Sequence, residues 1–403
     1  MALPGLPLGE RVRERRNRLG RTQAVVAGLC GITTDYLSQI ERGLRVPSSE
    51  VVGKLAAELQ VPAGWLLGDD NSPQPQEQQG LAGDGVVRAL LRQHPWPAPV
   101  AVDACVLRER VEAAWGTWQT SPTRFTSAEA VLPGLISDVE ATAGAHRRGT
   151  VPAAERREVL RTAADLYGLL RSYCRRVGRL DLSLMVADRA LRAAEDADDP
   201  LRIAAARWNL GHVLLSRPGQ EAEAAEVALS AADELGRALG TVDALAIRGA
   251  LELVAVVAEA RTRRPWAARE RLNGKAAPLA EQVGEGNTLW TVFGRTNTEL
   301  HAVSVEMTDG DAVEGLRLAD RVDLSKLPSM ERRFTFGLEV ARCYDLRRDD
   351  AAVLVHLLEL EELAPEDLER SPLARTVTAS LVGRARPTLR RQAVGLAERL
   401  QLL

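Results

Sequence analysis

One short segment, GITTDYLSQIERG at residues 31–43, constrains the fold of this chain more than any other. Glycines at both ends favour turns, and Thr33 is a typical N-cap, so a short helix is predicted between them. Leu37 and Ile40 lie three residues apart and predict one buried face. The other face carries polar side chains at Thr33, Thr34, Asp35, Ser38, Gln39 and Arg42. Such a face is either simply solvated or built to contact a partner with many hydrogen-bonding groups.

The flanking residues predict further helices on both sides and no β-strand. The first helix carries five arginines and ends at Gly20, and Thr22 caps a short second helix. A fourth helix opens at Pro47, and a last turn runs through Trp65 and Leu66. Inward-facing positions in these helices are Leu8, Val12, Leu19, Val26, Ala27, Cys30, Val51, Val52, Leu55, Ala56 and Leu59. The N-terminal part is therefore predicted to be a small helical bundle.

These elements occur in an order that resembles the helix-turn-helix domain of the Cro/C1 (XRE) family of repressors. The resemblance covers about 60 residues without gaps: RTQ at 21–23, the turn glycine, YLSQIERG at 36–43, and the proline-led helix. It implies an all-α, five-helix lambda-repressor-like fold for residues 1–68. It also implies sequence-specific binding to double-stranded DNA.

In such a domain the third helix enters the major groove, where amides, hydroxyls and guanidiniums contact base edges. Thr33, Thr34, Asp35 and Gln39 lie opposite the buried face and are predicted to make these contacts.

The resemblance implies roles for other residues as well. Thr22 and Gln23 match positions that present a backbone N–H and an amide to a phosphate. Arg16 and Glu41 match an ion pair that braces the third helix, and Arg16 also matches a phosphate contact. The full set of predicted DNA-binding residues is Arg16, Thr22, Gln23, Thr33, Thr34, Asp35, Ser38, Gln39, Arg42 and Arg45.

Two residues depart from the family pattern. Arg21 stands where leucine is usual, and Asp35 places a carboxylate on the face that would meet DNA. A carboxylate repels phosphates unless it accepts a hydrogen bond from a cytosine amino group. Base preference is therefore not transferred from the family, and a helical bundle without a DNA partner stays an alternative.

The chain changes character after residue 68. Residues 69–85 contain few apolar side chains and many Gln, Pro, Gly and acids, which is typical of a flexible linker. Residues 1–68 hold nine Lys and Arg against six Asp and Glu, a net charge of +3. Because the whole chain has a net charge of −3, the residues after 68 carry −6. A basic N-terminal part favours an anionic partner for that part.

Residues 86–403 repeat one kind of helix pair, in which small residues recur where two helices would cross. Examples are Ser183, Ala187 and Ala190; Gly211, Ala225 and Ala232; Gly310 and Gly315; and Ala341. The units, near 34 residues long, resemble degenerate tetratricopeptide (TPR) repeats stacked in an α-solenoid. Residues 98–147 are predicted to be helical but fit no repeat. A helical bundle without repeats is the alternative.

A stacked-helix solenoid has a concave face that binds peptides or small ligands. The layout resembles cytoplasmic peptide-responsive regulators of Gram-positive bacteria, and most of all the long helix-turn-helix regulators of actinobacteria such as Streptomyces. It implies a homodimer on a pseudo-palindromic operator, with a TPR-like domain that dimerises and senses a peptide or small-molecule effector. A DNA-tethered scaffold for protein partners, without a small ligand, is the alternative.

Two clusters in residues 86–403 are candidates for the ligand site. Trp290, Asn297 and His301 share one stripe of a helix, and an amide beside an aromatic ring suits an extended ligand. The predicted ligand-binding residues are Arg207, Asn209, Trp290, Arg295, Asn297 and His301. The alternative is that the tryptophans are core and that Asn297 and His301 are satisfied locally.

Catalytic and cofactor motifs do not occur at credible positions. The sequence has no P-loop, GxGxxG, HExxH or GxSxG pattern there, and its five histidines are scattered. Its four cysteines stand far apart, so neither zinc nor disulfides are expected. No run of about 18 apolar residues occurs. We therefore expect no enzyme activity, cofactor, metal or membrane partner, and a cytoplasmic protein that joins the nucleoid when DNA-bound.

Overall fold

In a computed structural model, the described residues are 8–18, 21–45, 47–59, 61, 66, 84–91, 101–148 and 152–403. They form helices and turns, with no β-strand among them. The chain divides into two units, Met1–Leu81 and Ala82–Leu403. Most of the predicted linker lies outside the described residues, and its last two positions, Asp84 and Gly85, begin a helix.

Four helices make up the described part of the first unit. They are α1 (Leu8–Arg18), α2 (Gln23–Cys30), α3 (Thr34–Glu41) and α4 (Ser49–Glu58). The predicted helix end at Gly20 and the turn at Trp65 lie outside the described residues. Leu66 is described and fully buried.

The boundaries of α2 and α3 follow from local chemistry. The hydroxyl of Thr22 accepts a hydrogen bond from the Val25 N–H at 3.3 Å, and that of Thr33 accepts one from the Tyr36 N–H at 3.1 Å. These bonds satisfy N–H groups that a helix leaves unpaired in its first turn. Gly31 has a φ of 67°, a left-handed conformation that glycine adopts without steric cost. Both predicted caps and the glycine turn are confirmed.

Most of the predicted apolar positions form the core of the first unit, whereas Leu8 and Val51 are only partly buried and Leu19 lies outside the described residues. Leu37 and Ile40 of α3 are fully buried. The other buried members are Val12, Val26, Ala27, Cys30, Val52, Leu55, Ala56, Leu59 and Leu66. A Cβ atom on Gly9 would lie 2.1 Å from the carbonyl oxygen of Ile40. The backbones of α1 and α3 therefore meet directly at Gly9, and a side chain there displaces α3.

We predict that Gly9→Ala destabilises the first unit by about 1–3 kcal/mol, because overpacking outweighs the better helix propensity of alanine. The matched control is Gly28→Ala in α2, where a Cβ atom meets no atom within 4 Å. That control should stabilise α2 by about 0.5–1 kcal/mol. Hydrogen exchange of the α1–α4 amides in the full chain measures the stability change in both variants. Equal protection in the two variants would contradict the prediction.

The second unit is a series of helices joined by short turns. They are α5 (Asp84–Leu90), α6 (Ala104–Thr120), α7 (Arg124–Arg148), α8 (Ala153–Arg176), α9 (Leu180–Asp196), α10 (Pro200–Leu214), α11 (Glu221–Ala238), α12 (Val242–Arg261), α13 (Pro265–Arg271), α14 (Ala277–Val283), α15 (Arg295–Asp309), α16 (Ala312–Ala319), α17 (Met330–Leu346), α18 (Asp350–Leu363), α19 (Pro365–Arg370), α20 (Pro372–Arg384) and α21 (Pro387–Arg399). Residues 272–276 form a π-helical turn between α13 and α14.

Successive helices of this unit pack as antiparallel pairs, as the sequence predicts. α8 packs on α9 across a turn in which Gly178 has a φ of 80°, and α10 packs on α11. Ser183, Ala187 and Ala190 are buried where α9 crosses α8, because small side chains allow the two helices to approach closely. The chain outside the repeat pattern forms α6 and α7, which pack on each other and on α8.

Polar contacts join an early helix of this unit to a late one. Arg124, the first residue of α7, donates from Nε to Asp367 of α19 at 2.9 Å, although 243 positions separate them. Glu366 accepts the backbone N–H of Phe125 at 2.7 Å and so satisfies an unpaired donor at the start of α7. The second unit, the helical body of residues 82–403, is therefore closed by contacts between α7 and α19. None of its described helices is long and apolar enough to cross a membrane.

Candidate functional site

The exposed face of α3 presents the side chains that the sequence assigns to base edges. Thr34 and Asp35 are exposed in the first turn of α3, and Ser38 and Gln39 are half-buried one turn later. The Gln39 amide donates to Asp35 Oδ2 at 2.7 Å. This bond fixes the orientation of the amide and leaves its carbonyl oxygen and second N–H for a partner.

A buried polar network holds α3 against α1 and α2. Arg16 donates from Nε to Glu41 Oε1 at 2.6 Å and from Nη2 to Oε2 at 2.9 Å, which confirms the predicted ion pair. The hydrogen bond to Glu41 raises the pKa of Arg16. Gln23 donates to the same carboxylate at 2.7 Å. Glu41 thus accepts hydrogen bonds from both preceding helices, and α3 keeps one orientation.

The structure explains the arginine that departs from the family pattern. Arg21 pairs with the Glu58 side chain and donates to the Glu58 backbone oxygen at 3.0 Å. The Arg21 carbonyl oxygen accepts a bond from Arg16 Nη1 at 3.0 Å. Arg21 therefore ties the start of α2 to the end of α4 through its side chain.

The remaining predicted DNA contacts lie at the edge of α3. Arg42 and Arg45 are exposed, and Arg42 Nε donates to the Ser38 carbonyl of its own helix at 3.2 Å. Thr22 is exposed at the N-terminus of α2, where free N–H groups favour an anion such as a phosphate. Of the ten predicted residues, six are exposed, Gln23, Ser38 and Gln39 are half-buried, and Arg16 is buried.

The helical body has a cavity of about 200 Å³ that is partly open to solvent. Four of its lining residues are tryptophans: Trp115, Trp118, Trp208 and Trp290. The Trp115 and Trp290 rings stack with centroids 4.8 Å apart and an interplanar angle of 3°. One part of the wall is therefore flat and apolar.

Another part of the wall is dominated by guanidinium groups. The charged lining residues are Arg124, Arg171, Arg175, Arg176, Arg261, Arg332, Glu331 and Glu339. Glu331 accepts bonds from Arg175 Nη2 at 2.9 Å and from Arg176 Nε at 3.1 Å. Burial opposes the ionisation of Glu331, but the charges of Arg176, Arg124 and Arg175 outweigh it and lower the Glu331 pKa.

Several guanidiniums in this wall have few acceptors. Arg171 donates from Nε to the neutral amide oxygen of Asn209 at 2.7 Å and lies 5.3 Å from the Trp208 ring centre. Arg175 Nε is buried and has no hydrogen-bond partner. Burial lowers the pKa of Arg175 to about 9, and the charge of Arg176 adds to this effect. The wall therefore holds positive charge in a poorly solvated position.

The cavity lining also presents hydrogen-bond acceptors. Asn297 is 1% exposed, and its Oδ1 has no hydrogen-bond partner. Burial lowers the pKa of His301 to about 3, so the ring is neutral at physiological pH. His301 Nδ1 lies 2.7 Å from the Asn297 carbonyl oxygen, which can only accept. The proton is therefore on Nδ1, and Nε2 is an acceptor.

The prediction that Trp290 shares a helix stripe with Asn297 and His301 is wrong, because Trp290 lies in a turn of unusual backbone conformation before α15 begins at Arg295. Leu289, Trp290 and Val292 have φ values of 45°, 60° and 55°, which cost energy in residues with a Cβ atom. Asn287 holds this turn by donating to Gln119 Oε1 at 2.6 Å. The ring of Phe293 fills the space that a Cβ on Gly249 would occupy. The strained turn persists because α6 and α12 hold both of its ends.

The structure places four of the six predicted ligand residues in or next to the cavity and two outside it. Trp290, Asn297 and His301 line the cavity, and Asn209 reaches it through Arg171. Arg207 and Arg295 lie outside the cavity, where they pair with Glu234 and Glu281. The arginine wall was missed, although RSYCRR at 171–176 directly follows the apolar stretch LYGLL at 166–170, which is a signal for a buried charge cluster. Among the described residues no group is placed to hold a metal ion.

Comparison with known proteins identifies the first unit. Residues 7–64 match a family model described as a helix-turn-helix domain. The N-terminal unit is a helix-turn-helix domain. It is 37% identical over 62 residues to the transcriptional regulator ClgR of Mycobacterium tuberculosis, covering 15% of this chain and 55% of that protein. It is 36% identical over 75 residues to the regulator DicA of Escherichia coli, covering 19% of this chain and 56% of that protein.

The chain thus spans about half the length of the curated relatives that it matches. Two solved structures are similar over more of the chain. PlcR of Bacillus thuringiensis, in complex with the peptide PapR7 and DNA, has a TM-score of 0.27 and 14% identity, covering 69% of this chain and 96% of that one. The apo form of ComR from S. thermophilus has a TM-score of 0.35 and 10% identity, covering 93% of this chain and 98% of that one.

We predict that Arg16→Ala destabilises the helix-turn-helix domain by about 3 kcal/mol, because it leaves the Glu41 carboxylate buried without its guanidinium. The double change of Arg16 and Glu41 to alanine should be less destabilising than Arg16→Ala alone. Arg42→Ala, which removes an exposed arginine, is the control. Limited proteolysis of α3 compares the variants, and a double variant cleaved faster than Arg16→Ala would refute this account.

Proposed function

We propose that the protein is a DNA-binding transcriptional regulator. The observation that carries this proposal is the geometry of α3, whose buried face is held by Glu41 and whose exposed face presents Thr34, Asp35 and Gln39. A helix fixed on one side and polar on the other fits the major groove, where side chains of these types contact base edges.

We infer that the helical body senses a ligand and pairs two copies of the chain. The cavity supports the first part, because it combines aromatic walls with polar atoms that have no partner. One helix-turn-helix domain contacts few base pairs, so two copies on a pseudo-palindromic operator are the usual solution. Ligand binding then shifts the balance between two conformations of the body and so changes DNA binding.

The two chemical classes of DNA contact predict different effects on binding. Gln39→Ala or Thr34→Ala should alter which operator sequences bind best, because these side chains face base edges. Each lost base contact should cost about 1–3 kcal/mol on the preferred sequence and little on others. Selection of bound sequences from a random DNA pool measures the preference. An unchanged preference in both variants would show that α3 does not contact bases.

A phosphate contact should instead act on all sequences alike. Arg45→Gln is expected to weaken binding uniformly and to reduce the slope of log affinity against log salt by about 1. Arg192→Gln in α9 is the control, because it removes the same charge from the helical body at a side chain that is 74% exposed. Fluorescence anisotropy with labelled DNA at several salt concentrations measures the slope. Equal slopes in both variants would remove Arg45 from the DNA interface.

The proposed dimer has a separate test. Size-exclusion chromatography with light scattering should give the full chain twice its monomer mass of 43.7 kDa. The complex with operator DNA should contain two chains. A single chain per operator would contradict the two-fold arrangement, while leaving the role of α3 intact.

A further inference from the structure

The charge balance of the cavity is uneven. Six arginines and two glutamates line it. Arg124 has its own partner in Asp367, and Arg261 donates to a backbone oxygen. Burial raises the pKa of Glu339, and the charges that act on it are those of Arg342 and Arg261. The carboxylate of Glu331 is thus the main anion facing the remaining guanidiniums.

Those remaining guanidiniums exceed what one carboxylate can satisfy. Glu331 accepts bonds from Arg175 and Arg176 but makes no hydrogen bond with Arg171 or Arg332. The Arg332 guanidinium has no hydrogen-bond partner in the described structure, and burial lowers its pKa. The Arg175 and Arg332 side chains are half-buried in the cavity wall, so solvent, or an anion that replaces it, compensates their charge.

The rest of the cavity indicates what kind of molecule carries that anion. Trp208 and Trp290 offer flat apolar surfaces near the arginines. Asn297 Oδ1 and His301 Nε2 offer acceptors, which bind a ligand that also has a hydroxyl or N–H donor. A bare inorganic ion uses neither feature. A small organic molecule with one anionic group uses all of them.

We propose that this cavity binds a small organic anion, whose carboxylate or phosphate group is held by the guanidiniums of Arg171, Arg175 and Arg332. Its apolar part contacts the tryptophans, and a donor group on it reaches Asn297 and His301. Planar guanidinium groups bind carboxylate and phosphate oxygens in a bidentate manner, so both chemical groups fit. This inference deepens the ligand sensing proposed above and names the class of ligand.

The stability of the ligand-free protein also tests the role of Arg332. Burial and the charge of Arg176 together outweigh the attraction of Glu331 and lower the pKa of Arg332, so the Arg332 charge does not stabilise the folded chain. Arg332→Gln is therefore expected to unfold at the same temperature as the original protein or a higher one. A structural arginine would instead lower the unfolding temperature when replaced.

Thermal unfolding of the full chain tests the proposal with three probes at one ionic strength: phenylacetate, phenyl phosphate and the uncharged phenylacetamide. The two anions should raise the unfolding temperature of the helical body by about 2–4 °C at saturating concentrations, and the amide should not. A shift with phenylacetate alone assigns a carboxylate ligand, and a shift with phenyl phosphate alone assigns a phosphorylated one. Equal shifts with the anions and the amide would overturn the proposal.

Variants then locate the effect. Arg332→Gln should abolish the anion-induced shift, Arg332→Lys should retain part of it, and the exposed Arg192→Gln should retain it fully. No shift in the original protein, or the same loss in Arg192→Gln as in Arg332→Gln, would refute the site. DNA binding is measured separately by anisotropy, so a protein that binds the anions but no DNA would contradict only the regulatory function.

Discussion

The buried ion pair between Arg124 and Asp367 is the contact on which the arrangement of the helical body depends. Both side chains are almost fully buried, and 243 positions separate them in the chain. A buried guanidinium without an acceptor costs several kcal/mol, so the pair forms only when α7 and α19 meet. That meeting joins an early helix of the series to a late one and places Arg124 in the cavity wall.

Glu331 extends this contact into the cavity wall. It lies 3.4 Å from Arg124 and also pairs with Arg175 and Arg176 on α8. The same carboxylate that links α17 to α7 and α8 is thus the main negative charge among the guanidiniums. The contacts of Glu331 therefore do two things: they join α17 to α7 and α8, and they bring the arginines of the cavity wall together.

The helix-turn-helix domain uses a buried ion pair in a different way. Arg16 and Glu41 hold α3 at its last residue, and Gln23 adds a bond from α2. Because Glu41 makes its hydrogen bonds on the buried side of α3, the polar side chains on the opposite face are available to a partner. Asp35, an acid where DNA would approach, is partly compensated by its bond to Gln39.

Much of the helix-turn-helix domain could be predicted from sequence, and little of the cavity could. Thr22, Thr33 and Gly31 act on residues within five positions of themselves, so their pattern was sufficient. The close contact at Gly9 was not predicted, because the atom that it approaches belongs to another helix. Arg171 was not predicted to belong to the ligand site, since its partner Asn209 lies 38 positions away.

The sequence by itself determined the helices, their caps and turns, and which face of each helix is apolar, because these depend on nearby residues. Only the tertiary structure decided which charges share a cavity. Arginines on α7, α8 and α17 come together around Glu331 only after more than 150 positions of chain have folded back. An arginine in a local pattern looks the same whether it faces solvent or a buried wall, and the fold alone makes that difference.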